Sequence, residues 1–482
     1  MNRSPWAVFA AVALGTFMAT LDSSIVNVAL PTLAHTFGAT VTQIEWVSLS
    51  YVLTITGLLL PFGRLGDSLG RRRVFLAGLA LFTIGSGACA FSFSTQTLVA
   101  ARLLQGIGAS MLSANSVALI TAAFPREIRG RALGMVGAVV GLGLTIGPPV
   151  GGLMLTHFGW PSIFLINLPI GVFGVLLGRS VLPREPRAVD TATGGAAAAG
   201  AARPPFDVTG ALLSLVFLVG LTLALSRGTA WGWTSPATLV CGLGAFAALA
   251  LFIVVERRAA EPLVDFAFFA DAAFRVPMLS LFASFVALFA AVFLVPFYLQ
   301  RTAGMEPAAV GRVLVTVPLL LLLVSPVSGM LSDKLGSRTL SLAGLSATSL
   351  GLALLAWLLG NASERPLGVL PIIGGLFVVG LGQGLFQPPN SSSAMSSVPF
   401  ERLGLASGLL ATMRNLGTLF GIGLAAAVYE GRELVYAQAH SPVAAAGLGM
   451  RDAFLAAAIV AGSAALMVAF APRTAHPSPP GA

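Results

Sequence analysis

Lysine is almost missing from this chain and cysteine is scarce: Lys334 stands alone, and the cysteines are Cys89 and Cys241, both inside apolar runs. Such a pair supports neither a disulfide framework nor a thiolate metal site. Lys334 lies in no Gly-x-x-x-x-Gly-Lys-Ser/Thr context. No loop that cradles a nucleotide phosphate can be written, and a pump built from this sequence needs another energy source. The four histidines, His35, His157, His440 and His476, fall in or near loops. No histidine or acidic cluster sits where catalysis would need one, which argues against an enzyme. Charged residues make up 9% of the 482 residues and hydrophobic residues 56%, with a mean hydropathy of +0.91. That polar fraction cannot cover a soluble globule, so the chain reads as a polytopic membrane protein.

What is present is a series of apolar runs, each long enough to cross a hydrocarbon core of about 30 Å as a helix. Helices satisfy the backbone within each segment, which lipid demands. The runs fall at 6–33, 44–63, 74–93, 96–122, 132–156, 160–182, 208–226, 236–255, 272–299, 307–331, 339–360, 368–395, 403–429 and 451–471, fourteen in all. The first is longer than the core of a cleavable signal and contains Asp22, so a retained helix is expected. The formal charge of +9 is spread through short loops rather than gathered on one domain, which fits membrane topology better than nucleic-acid binding. With the N-terminus inside, 19 basic residues fall on the cytoplasmic side, while Arg227, Arg301, Arg312, Arg365, Arg432 and Arg451 fall outside. The bias predicts cytoplasmic termini. Little lysine beside abundant alanine, glycine and arginine suggests a GC-rich bacterial source, and so a bacterial cytoplasmic membrane.

One polar hairpin occurs twice. Gly63, Leu65, Asp67, Leu69, Gly70 and Arg72 match Gly329, Leu331, Asp333, Leu335, Gly336 and Arg338 at one offset, 329 − 63 = 266. Further on, Pro125, Glu127, Gly130, Ala132 and Gly134 match Pro399, Glu401, Gly404, Ala406 and Gly408, and Gly143 and Gly147 match Gly417 and Gly421, at 399 − 125 = 274. A duplication is the simplest source of such a pattern. The expected organisation is a six-helix half over 1–182, a Pro- and Gly-rich cytoplasmic linker over 183–207, an inserted two-helix hairpin over 208–255, a second six-helix half over 256–471, and a cytoplasmic tail over 472–482.

The doubled Gly-x-Leu-x-Asp-x-x-Gly-x-Arg loop resembles motif A of the major facilitator superfamily. The resemblance implies an all-α fold of two homologous six-helix bundles, here with the inserted hairpin making fourteen membrane helices. It also implies a conformational latch at Gly63, Asp67, Gly70, Arg71, Arg72, Asp333 and Arg338. Gly143, Gly147, Pro148, Gly151 and Gly152 resemble the Gly-x-x-x-Gly-Pro-x-x-Gly-Gly antiporter motif, whose small residues permit tight helix contact. Leu21-Asp22-Ser23-Ser24-Ile25-Val26-Asn27 is similar to the first-helix motif of the fourteen-segment drug:proton antiporters.

Asp22 is the acid placed well inside the bilayer. An intramembrane carboxyl is costly when ionised and is by default a functional-site candidate. A structural role, paired with Arg102, is an alternative that does not exclude proton transfer. Arg102 to Ser110 resembles motif B, and Arg102, Gln105 or Gly106, Ala109, Ser113 and Ser116 share a helix face of the kind that lines a wet cavity. In this superfamily the first and fourth helices of each half usually line the cavity. Asn27, Gln105, Ser113, Phe285, Phe289, Phe293, Gln383, Gln387 and Asn390 are therefore expected on its wall. A broken helix is expected around Pro388-Pro389. Arg414 is the other intramembrane cation, for which packing and transport roles both stand. The resemblance implies a proton-driven antiporter without cofactor or metal, acting as a monomer on hydrophobic, aromatic or cationic compounds. A dedicated exporter of one endogenous metabolite, and more distantly a transporter-derived sensor or lipid-moving protein, are alternatives.

Overall fold

The computed structural model describes residues 4–183, 208–258, 266–361, 367–398 and 403–471. The expected linker beyond Pro183 and the expected tail lie outside the described residues. Regular structure among them is helical. The first half holds α1 (Pro5–Phe37), α2 (Val41–Ile44), α3 (Trp46–Leu69), α4 (Arg71–Ala90), α5 (Thr95–Ala123), α6 (Arg126–Phe158), α7 (Ser162–Leu165) and α8 (Asn167–Val181). A hairpin of α9 (Val208–Trp231) and α10 (Pro236–Glu256) follows. The second half holds α11 (Ala272–Phe297), α12 (Pro307–Leu314), α13 (Thr316–Leu335), α14 (Ser337–Asn361), α15 (Val369–Ser396), α16 (Leu403–Tyr436) and α17 (Pro442–Phe470). Among the described residues, 13 spans are long and apolar enough to cross a membrane, and Val41–Leu59 with Pro61–Asp67, bent by 46°, makes a fourteenth. The protein is a multi-pass membrane protein, and an even number of spans returns the chain to the face on which it started. That face, which carries the 63–73 loop, is called the motif end below.

The duplication is visible in the packing. A methyl on Gly78 of α4 would lie 3.0 Å from the carbonyl of Gly108 in α5, and one on Gly344 of α14 would lie 2.6 Å from that of Gly382 in α15. Both glycine pairs keep the offsets of the repeat, and each allows two backbones to touch. At the motif end Gly70 and Gly336 have φ of 96° and 83°, a region open to glycine and strained for other residues. The turns hold matched arginines. Arg72 donates to the carbonyl of Arg179 at 2.9 Å, at the end of α8, and Arg338 donates to that of Ala469, at the end of α17. Each cation thus meets the exposed carbonyls that close its half.

Two elements differ from the sequence-based expectation. The last helix starts at Pro442 rather than near 451, with Ser441 as its N-cap. Arg451 and Asp452, whose charges end the apolar run in the sequence, lie inside this helix. They pair with each other at 2.8 Å, and Asp452 also pairs with Arg432 of α16 at 2.5 Å. The expected break at Pro388-Pro389 is absent, since α15 runs through both prolines. Pro389 removes the donor that would reach the carbonyl of Leu385, and Ser328 of α13 supplies it at 2.7 Å.

The halves are joined away from the motif end. Thr32 Oγ1 donates to Gln300 Oε1 at 3.0 Å, Gln300 Nε2 to the carbonyl of Val28 at 2.8 Å, and the amide of Ala308 to Thr156 Oγ1 at 3.2 Å. The hairpin covers one seam between the halves: Leu215 of α9 packs against Gly57 of α3, and Leu225 against Gly423 of α16.

Candidate functional site

Asp22 lies in the middle of α1 and is fully buried. Three N–H groups converge on it from two other helices. Arg102 Nη1 of α5 donates to Oδ2 at 2.6 Å, while Gln105 Nε2 of α5 and Asn167 Nδ2, at the start of α8, each donate to Oδ1 at 2.8 Å. Ser86 of α4 links the two amides, accepting from Gln105 at 2.6 Å and from Asn167 at 3.0 Å. Arg102 is itself 1% exposed. It reaches the carbonyl of Val47 in α3 through Nε at 2.9 Å, and its guanidinium lies 4.0 Å over the ring of Tyr51. Five helices of the first half therefore meet at one ion pair. Burying such a pair is tolerable only when the spare donors and acceptors are also satisfied, and here the fully buried side-chain atom of the cluster left without a partner is Asn167 Oδ1.

A narrow cavity of about 10 Å³ lies on the other side of Arg102, between the two halves, lined by Asn27, Ser48, Tyr51, Phe289, Thr418 and Ile422 among others. It is the tip of the interface cleft. Gln105, expected on the cavity wall, turns away from it into the Asp22 cluster. Ser113 is exposed, about two turns nearer the motif end. Phe285 and Phe289 are half-buried and stacked, with centroids 6.0 Å apart and planes 22° apart. Phe293 is buried against Phe297. The aromatic stripe of α11 thus divides between cleft and core. Gln383 and Asn390 are buried between α15 and α11: Ser284 donates to Gln383 at 2.9 Å, and Ser280 donates to Asn390 at 3.0 Å. Gln387 donates to Gln383 at 3.2 Å.

The run from Gly143 to Gly152 is the contact surface of α6. A methyl on Gly143 or Gly147 would meet the hydroxyl oxygens of Thr20 and Ser24 in α1, and Ser24 donates to the carbonyl of Gly143 at 3.1 Å. A methyl on Gly151 would press on Ile25 at 3.1 Å. Gly152 faces the other half instead, where a methyl would lie 2.5 Å from the carbonyl of Pro307, and Gly311 of α12 reciprocally abuts the carbonyl of Pro148. In the loop region Asp67 pairs with Arg71 at 3.0 Å across Gly70, and both side chains are substantially exposed. Gly63 sits in α3 with open space where a side chain would go. Asp333 lies in α13, with its side chain outside the described ones.

Ser86, Asn167 and Tyr51 belong to the cluster but are not singled out by the sequence. An asparagine inside the apolar run Ile163–Val181 is the one signal that pointed to it. Glu45 is a second buried acid, 0% exposed at the junction of α2 and α3. It accepts a hydrogen bond from Ser226 of α9, to which Trp46 Nε1 also donates, at 2.7 Å. Its position at the edge of an apolar run hid it.

Fourteen candidate spans, two repeated halves, a cleft between them and one charged cluster beside its tip define a membrane transporter. A profile described as Major Facilitator Superfamily matches residues 12–226 and again 206–422. The riboflavin transporter RibZ of Clostridioides difficile is 36% identical over 419 residues, 87% of each chain. The multidrug resistance protein Stp of Mycobacterium tuberculosis is 35% identical over 429 residues, covering 89% of this chain and 76% of that one. A solved POT family transporter in complex with 5-aminolevulinic acid superposes with a TM-score of 0.68 at 16% identity, covering 96% of both chains. The chain belongs to the major facilitator superfamily, and its relatives place it with the drug-efflux type.

Proposed function

We propose that this protein is a proton-coupled antiporter that exports hydrophobic aromatic compounds from the cytoplasm by alternating access, with both termini cytoplasmic and the motif end facing inward. The buried Asp22–Arg102 pair beside the cleft tip is the observation that carries the reading. Asp22 in its ionised form accepts only from N–H groups, so a proton arriving on it needs an acceptor. Rotation of the Asn167 amide would turn its idle oxygen toward that proton. Protonation would also remove the charge that compensates Arg102, leaving the guanidinium with Val47, Gln105 and Tyr51. Because these contacts join α1 to α3 and α5, loading a proton would loosen the wall of the cleft, which is how cargo and proton can exclude one another without sharing an atom. Arg72 and Arg338 would act as hinge-side braces, since they tie the motif loops to the ends of α8 and α17, and the Asp67–Arg71 pair would hold the turn of the first loop. The relative named for riboflavin transport agrees with an aromatic cargo.

The test is uptake of an aromatic dye into inverted proteoliposomes under an imposed pH gradient. Asp22→Asn should abolish gradient-driven dye movement while dye binding survives. That variant also strands Arg102, at a cost of about 3–5 kcal/mol, so an Asp22→Asn/Arg102→Gln double variant keeps the fold as a control. Continued proton-driven movement in either variant rules the assignment out.

A further inference from the structure

Resting on that reading, we infer that Arg414 is the cargo-recognition residue of the cleft, and that it selects planar polycyclic compounds bearing acceptor oxygens, such as quinones, imides or enolates, over organic cations.

Arg414 lies on the stripe of α16 that faces the first half. Residues 414, 418 and 422 share a helix face, and Thr418 and Ile422 line the cleft tip opposite Asn27 and Tyr51. One turn nearer the motif end, the Arg414 side chain is exposed and makes no hydrogen bond or ion pair among the described residues. Its charge is therefore uncompensated. Arg102 differs, because Asp22 neutralises it at 2.6 Å. Among the described residues no acid lines the cleft tip, and Asp22 itself is 0% exposed behind Arg102. A cation at the cleft tip meets, among the described residues, one free guanidinium and no exposed carboxylate, an arrangement that repels it.

The neighbouring helix supplies the complementary surface. Gly417 and Gly421 let α16 approach α11 so closely that added methyls would fall 2.6 Å from Phe285 Cβ and 3.2 Å from Phe289 Cβ. Those two rings form the stacked pair that runs from the tip toward the level of Arg414. A flat polycycle laid against them brings its edge to the guanidinium. There, a planar fork of N–H donors suits one or two ring oxygens far better than a point charge would. Arg414 had no chemistry in its sequence neighbours, Met413 and Asn415; its partner is a surface formed by another helix.

Equilibrium binding in detergent, without any gradient, separates this inference from proton coupling. The probes are emodin, a tricyclic hydroxyanthraquinone, and proflavine, a tricyclic cation of similar size, each followed by fluorescence against purified full-length protein. Wild type should bind emodin at least about tenfold more tightly than proflavine, the size expected for one hydrogen-bonded charge. Arg414→Gln should lose at least about tenfold for emodin while proflavine binding stays level or improves, and Arg414→Lys should fall between. Preference of the wild type for proflavine, absence of emodin binding, or equal losses for both probes in Arg414→Gln with Arg414→Lys no better would each overturn the inference. Continued gradient-driven transport in Asp22→Asn would instead count against the role of Asp22 and leave this binding inference standing.

Discussion

Arg102 donates through Nε and Nη1 to three acceptors on three different helices and covers an aromatic ring with its guanidinium plane. A lysine carries the same charge on one compact ammonium and cannot span those acceptors. Arg102→Lys is therefore expected to lose the bond to the Val47 carbonyl or to Gln105 inside the protein, at about 1–3 kcal/mol for each lost buried hydrogen bond. The measurable result is a lower melting temperature in detergent and at least about a tenfold loss of transport; an unchanged melting curve would show that charge alone holds the cluster. Asp22 and Arg102 were legible in the sequence because a charge inside an apolar run has few innocent explanations. Ser86 and Asn167 were not, because a single hydroxyl or amide in such a run is common, and only tertiary packing brings both to one carboxylate. Gln383 and Asn390 show the converse: helical period identifies a polar face but not the neighbour it meets, and theirs is α11 rather than open cleft.

The glycines of α6 divide one helix between two tasks. Gly147 packs against Ser24 inside the first half, whereas Gly152 packs against the backbone of Pro307 and Ala308 in the second. Alanine at either position overpacks a contact, at about 1–3 kcal/mol, but the consequences should separate. Gly147→Ala is expected to lower the thermal stability of the protein. Gly152→Ala is expected to spare it and instead push the halves apart at the end remote from the motif loops, read as faster thiol labelling of Thr156→Cys; equal labelling with and without the alanine would refute the division. The repeated loop was readable at this scale because both copies need glycine at one positive-φ turn and an arginine two residues later. The start of the last helix was not, because Arg451 and Asp452 look like loop residues until the pairing of Asp452 with Arg432 is seen.

All the direct hydrogen bonds between the halves described above lie at one end of the molecule, so the protein is closed there and Arg414 and Ser113 are exposed toward the other. If transport requires that closed end to part, joining Thr156→Cys to Ala308→Cys with a short bifunctional reagent should arrest turnover while leaving dye binding from the motif end intact. Transport that continues after full cross-linking would exclude alternating access. The two native cysteines, one buried and one partly buried, give a low background for that experiment. Fold class and span number follow from hydropathy and duplication, since lipid leaves a chain few choices. The closed end does not, because it depends on carbonyls and side chains whose partners lie 152, 268 and 272 residues away.

The placement of α9 makes the molecule unequal around its circumference. Along the α3–α16 seam a helix stands between the cleft and the lipid, while along the α6–α12 seam the two halves meet each other directly. A greasy compound diffusing in the bilayer would therefore meet a third element on one flank and the packed halves themselves on the other, so the two flanks are unequal approaches for anything that arrives through lipid.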